Sequence, residues 1–100
     1  MRGATTQQML DAPHGAIYVW VNSNVDYPKN LARNIGRDDL KIVPRAWLTS
    51  NNWIGRKLTG IVVDHAVWIP SLSPTEFRNL QEIDRRISQS AGLLLAAGEG

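Results

Sequence analysis

Apolar and polar residues along this chain fall into short blocks whose period shifts between strand-like and helix-like. Residues 16–21 (Ala-Ile-Tyr-Val-Trp-Val) form an unbroken β-branched and aromatic run. It is short enough for a strand and apolar on both faces, as strands of parallel sheets are. The polar cluster Asn22-Ser23-Asn24 ends it. Asp26 then offers an N-cap ahead of Tyr27 and Pro28; Leu31, Ala32 and Ile35 supply the apolar face of a helix, and Gly36 suits its left-handed exit. Arg37-Asp38-Asp39 reads as a turn. Residues 40–43 make a second strand that Pro44 terminates, because proline cannot donate to a ladder. Residues 60–63, extending toward Ala66, make a third strand with Asp64 and His65 at its C-terminal end.

Further along, Ser73-Pro74-Thr75-Glu76 is a capping box with proline at the first helical position. Phe77, Leu80, Ile83 and Ile87 recur every three to four residues, which predicts a helix to about Ser90 with one apolar face. Gly92 is expected to interrupt it. Residues 47–52 carry no period, and Trp47-Leu48 reads as a turn or a short helical piece. Residues 1–15 are polar and contain Pro13 and Gly15, so they read as a loose arm with at most a helical turn at residues 7–10. Residues 98–100 read as a flexible tail.

Strands joined through helices are usually parallel with right-handed crossovers. The pattern therefore predicts a small three-layer α/β domain over residues 16–97, with a mainly parallel three-stranded sheet and two main helices. Ile17, Val19, Leu31, Ile35, Ile42, Val62, Phe77, Leu80, Ile83 and Ile87 are expected to share one core.

Composition narrows the class. At 100 residues the chain has room for one core, and 43% hydrophobic with 20% charged residues is ordinary for a folded domain. The absence of cysteine excludes disulfides and thiolate metal sites and makes a cytoplasmic setting the expectation. No run is long and apolar enough to suggest a membrane role. The net charge of +2 is unevenly spread: between Lys29 and Lys57 seven cations face only Asp38 and Asp39, whereas the rest of the chain is net acidic. A dipolar surface of this kind suits an anionic or similarly patterned partner.

Two candidate sites follow. Trp53 sits between Ser50-Asn51-Asn52 and Ile54-Gly55-Arg56-Lys57, so it reads as an anchor on a polar, basic loop, with Arg56 and Lys57 beside it. Lys29, Arg33 and Arg37, spaced by four, would extend that surface as a basic stripe on the first helix. The other candidate is a strand-end pocket, since ligands of open α/β sheets bind beyond the C-terminal strand ends. There Asn22, Ser23 and Asn24 would meet Asp64 and His65. His65 is a candidate general base or, with Asp64 and a remote His14, a metal ligand, but two ligands do not specify a metal and none is expected.

The run Gly55-Arg56-Lys57-Leu58-Thr59-Gly60-Ile61-Val62-Val63-Asp64-His65-Ala66-Val67-Trp68-Ile69-Pro70 resembles the Walker B region of P-loop NTPases, above all phage terminase and helicase motors. In those an apolar strand ends in Asp-Glu-Ala followed by apolar residues and proline. The resemblance implies a magnesium-binding role for Asp64, but His65 replaces the glutamate that polarises water. The loop Asn22-Ser23-Asn24-Val25-Asp26-Tyr27-Pro28-Lys29 lacks the glycines of a phosphate loop. What the resemblance implies is a degenerate, minimal core of that fold, without a cofactor and without nucleotide hydrolysis. The expected function is a non-enzymatic accessory protein, encoded by a phage or mobile element, that docks on a macromolecular partner. A protein partner is favoured over the alternative, nucleic acid held on the basic 29–57 surface. A small nucleotide- or metal-binding enzyme using Asp64 and His65 is the third reading.

Overall fold

The computed structural model describes residues 3–55 and 57–99, with residues 89–99 as backbone only. Its elements run α1 (Ala4–Asp11), β1 (Ile17–Trp20), α2 (Asp26–Asn34), β2 (Lys41–Pro44), a 3-10 helix (Arg45–Thr49), β3 (Ile61–Val63), a second 3-10 turn (Ile69–Ser71) and α3 (Pro74–Glu99). The sheet is parallel throughout, in the order β2-β1-β3. No helix among the described residues is long and apolar enough to cross a membrane.

The central strand β1 is apolar on both faces because it is covered on both. Alternation sends Ile17 and Val19 to one side, where they pack with Val43, Trp47, Leu48, Trp53, Val67, Leu72 and Ile83 beneath α3. Ala16 and Tyr18 face the other side and pack with Met9 of α1, Ala32 of α2, Leu40 and Ile42. The single expected core is therefore two half-cores divided by the sheet. Leu31, Ile35, Ile42 and Val62 belong to one, and Ile17, Val19, Leu80, Ile83 and Ile87 to the other. Phe77 belongs to neither, being 42% exposed on the first turn of α3. Its position in the helical period points it past the edge of the packed face, which Ile83 centres.

Local chemistry explains the element ends. Gly36 adopts φ +78° after α2; the Gly36 N–H donates to the Arg33 carbonyl and the Arg37 N–H to the Ala32 carbonyl, the paired bonds of a Schellman ending. Asp26 does not cap α2 as expected. It is the first helical residue, and its N–H donates to Asn24 Oδ1. The capping box of α3 is formed in both directions: the Glu76 N–H donates to Ser73 Oγ (3.1 Å) and the Ser73 N–H to Glu76 Oε1 (2.8 Å). Gly92 does not interrupt α3, which continues to Glu99, so of the expected flexible tail only Gly100 lies outside the described residues. Gly60 is required by proximity, since a Cβ there would lie 2.9 Å from Pro13 Cγ.

The loose N-terminal arm is the largest correction. Residues 4–11 form a packed helix whose Met9 is fully buried, and Arg37 holds it in place. The Arg37 guanidinium donates to the carbonyls of Met9 (2.6 Å) and Leu10 (3.1 Å) at the end of α1 and to that of Pro13 (3.1 Å), satisfying groups a helix C-terminus leaves unpaired. It also forms a two-pronged pair with Asp39, which accepts the Gly15 N–H as well. A polar segment whose only large apolar residues are the adjacent Met9 and Leu10 gives no periodic signal, so only this long-range capping reveals why it folds.

The ion pairs set an acid limit on stability. The Arg37 guanidinium and the Gly15 N–H hold the Asp39 carboxyl well below the usual carboxylate range, and the Arg45 guanidinium lowers that of Glu76. Both carboxylates bind protons more readily in the unfolded chain. Their contribution is thus complete above the ordinary carboxylate range and is lost as pH falls through their lowered folded values. Melting temperature is expected to hold steady at neutral pH and to drop below about pH 4. A Glu76→Gln variant should be less stable at neutral pH and show a shallower fall, which melts followed by circular dichroism across that range will check.

Candidate functional site

The end of β3 is closed rather than open. Asp64 is buried; its Oδ2 accepts the Tyr18 hydroxyl at 2.5 Å across the sheet, and its Oδ1 accepts the Ala66 N–H at 2.9 Å. The Val67 N–H donates to the Asp64 carbonyl, so the residue fastens the turn that carries the chain off the sheet. Burial first, and then the Asp64 carboxylate, push the Tyr18 phenol far above its ordinary range, which keeps it a neutral donor.

Helix α1 lies over this end. The Gln8 side chain accepts from the His65 N–H (2.7 Å) and donates to the Val63 carbonyl (3.0 Å), and Thr5 Oγ1 lies 3.1 Å from His65 Nε2. A hydroxyl, an imidazole and a carboxylate are thus near one another, but not in the order a nucleophile relay needs. The nearest Asp64 oxygen is 3.9 Å from Nε2, the same nitrogen that meets Thr5, so among the described residues no carboxylate orients the ring through Nδ1. Asn22, Ser23 and Asn24 are exposed and make no hydrogen bond to Asp64 or His65 among the described residues. Asn22 Oδ1 accepts the Asn24 N–H and closes their own turn instead. His14 lies elsewhere, against Asp39. No group of three His, Asp or Glu residues is gathered as a metal site among the described residues.

The basic surface is also rearranged. Trp53 is 7% exposed and packs in the α3-side core, with the Arg86 guanidinium 5.1 Å above its ring; it is a core residue and not an exposed anchor. Its polar neighbours Asn51 and Asn52 concealed that. Its indole Nε1 has no hydrogen-bond partner among the described residues, a cost the packing of the ring offsets. Arg37 is withdrawn into the α1 contacts, which removes it from the stripe. Lys29, Arg33 and Lys57 are exposed, and Arg56 lies outside the described residues.

Sequence reasoning missed two surface features. One is Trp68, 71% exposed, with Ile69 and Phe77 also exposed. The Trp68 carbonyl accepts from both the Ser71 N–H and hydroxyl, while Arg45 donates to Ser71 and pairs with Glu76, so the turn bearing Trp68 is braced from three directions. The absence of a helical or alternating period around Trp68 was its signal, since tryptophan beside a strand reads as core by default. The other is a half-open groove of about 200 Å³ between α2 and β2, lined by Lys29, Ala32, Arg33, Asp38, Leu40 and Ile42. Compared with family models, with characterised proteins and with solved structures, the chain finds no match in any of the three.

Proposed function

We propose that this chain is a non-enzymatic accessory domain that works by docking on a protein partner. The observation that carries the reading is Trp68: a large aromatic side chain 71% exposed on a braced turn, beside exposed Ile69, is costly to leave in water and pre-organised to anchor a contact. The chemistry at the end of β3 favours the same reading, because the Asp64 carboxylate is spent on Tyr18 and Ala66. A degenerate NTPase-like sheet, of the kind phage motors carry, is the architectural kinship we propose for it.

The test is affinity capture from the source cells with the wild-type chain and a Trp68→Ala variant as baits. The variant should fold normally, as an exposed side chain contributes little to stability. It should lose the captured protein by roughly thirtyfold or more in affinity, the scale of an aromatic anchor. Equal capture by both baits refutes the role of Trp68. A captured species that is nucleic acid, released steeply by salt, refutes the protein partner in favour of phosphate binding.

A further inference from the structure

The groove between α2 and β2 combines features that a solvated helix face does not need. Its floor is three buried aliphatic side chains, Ala32, Leu40 and Ile42. One wall carries Lys29 and Arg33, one turn apart on α2, and Asp38 stands on the rim. None of these three charged groups is in an ion pair with a described residue, although charges of both signs line the same small space. Opposite charges held apart around an apolar floor form the complement of a ligand that has both a carboxylate and an N–H donor next to an aliphatic group.

The strand beside the groove adds a second element. β2 is at the edge of the sheet, and the Lys41 N–H points inward to the Ala16 carbonyl, so by alternation the backbone N–H and carbonyl of Ile42 face the open edge. Pro44, two positions on and in the same phase, has no N–H to offer on that edge. The edge therefore offers one pair of backbone groups, enough to orient a short segment but not to extend the sheet.

We propose that this groove receives a short acidic and aliphatic peptide segment of the partner protein. A leucine-sized side chain lies on Ala32, Leu40 and Ile42, an adjoining Asp or Glu carboxylate sits between Lys29 and Arg33, and a peptide N–H donates to Asp38. The proposal rests on the docking role above and names the chemistry the partner presents. Nucleic acid fits less well, because a phosphate gains nothing from an aliphatic floor and is repelled by Asp38.

Titrating the isotope-labelled full chain with the blocked peptide acetyl-Leu-Glu-Leu-amide, and following amide chemical shifts, tests this. Shifts should concentrate in α2 and in residues 38–42. The glutamine peptide acetyl-Leu-Gln-Leu-amide should bind about tenfold more weakly, because it lacks the charge-assisted bonds. The double variant Lys29→Ala and Arg33→Ala should erase the difference between the peptides at an unchanged melting temperature. No shifts, equal binding of the two peptides, or the same shifts produced by an oligothymidylate would overturn the proposal. If the peptide is silent while Trp68-dependent capture persists, the groove assignment fails alone; if both vanish, the docking role fails with it.

Discussion

Replacing Ile83 by alanine is expected to destabilise the chain by about 2–5 kcal/mol, whereas Phe77→Ala, six residues earlier on the same helix, should cost less than about 1 kcal/mol. Ile83 is fully buried in the half-core that also holds Ile17, Val19, Trp47 and Leu48, so the change removes its transfer energy and leaves a cavity that a close-packed layer closes only in part. Phe77 is 42% exposed and outside both half-cores, so most of its surface meets water in either state. Denaturant melts of the two variants measure the contrast directly. Comparable losses at both positions would mean that α3 is rotated about its axis from the orientation described.

Arg37→Ala should cost on the order of 2–4 kcal/mol, a large effect for a charged residue, because the guanidinium serves several acceptors at once. Its loss takes a charged donor from the α1 carbonyls and leaves the Asp39 carboxylate with the Gly15 N–H in place of the two-pronged pair. The damage should be local before it is global: amide hydrogen exchange is expected to accelerate first in residues 4–11, while β1 and α3 keep their protection. Lysine cannot rescue it, since a single ammonium reproduces neither the two-pronged contact with Asp39 nor the simultaneous reach to Pro13. An Arg37→Ala chain that melts like wild type would return Arg37 to the exposed basic stripe and leave α1 without its clasp.

Those two residues show where the pattern of the chain is informative and where it is not. The strand at residues 17–20, the reciprocal Ser73–Glu76 cap and the exit at Gly36 were legible because each depends on neighbours within four residues. The parallel sheet followed from helix-linked strands. Helix α1 was illegible because its fold depends on Arg37, a contact spanning 28 positions from Met9. The environments of Trp53 and Trp68 were hidden for the same kind of reason. The first lies among polar residues yet is roofed by α3 and Arg86, and the second adjoins apolar residues yet has no element above it among the described residues. Burial of a loop aromatic is decided by what the rest of the chain lays over it, and periodicity has nothing to say about that. The strand-end candidates failed likewise: Asp64 was placed correctly at the end of β3, but its partner Tyr18 lies 46 positions away.

The contact between Gly60 and Pro13 has an evolutionary consequence. The three atoms nearest a Cβ at position 60 all belong to Pro13, Cγ at 2.9 Å, Cβ at 3.3 Å and Cδ at 3.4 Å, so loss of the proline ring relieves the tightest contact of an alanine at 60. The two positions form an epistatic pair in which the order of mutation matters: a change at 60 is harmful while Pro13 stands and tolerable once it has gone. Relatives of this chain that carry a side chain at 60 should therefore lack the proline at 13. A library of variants randomised at both sites and selected for folding should be enriched for the compensated combinations.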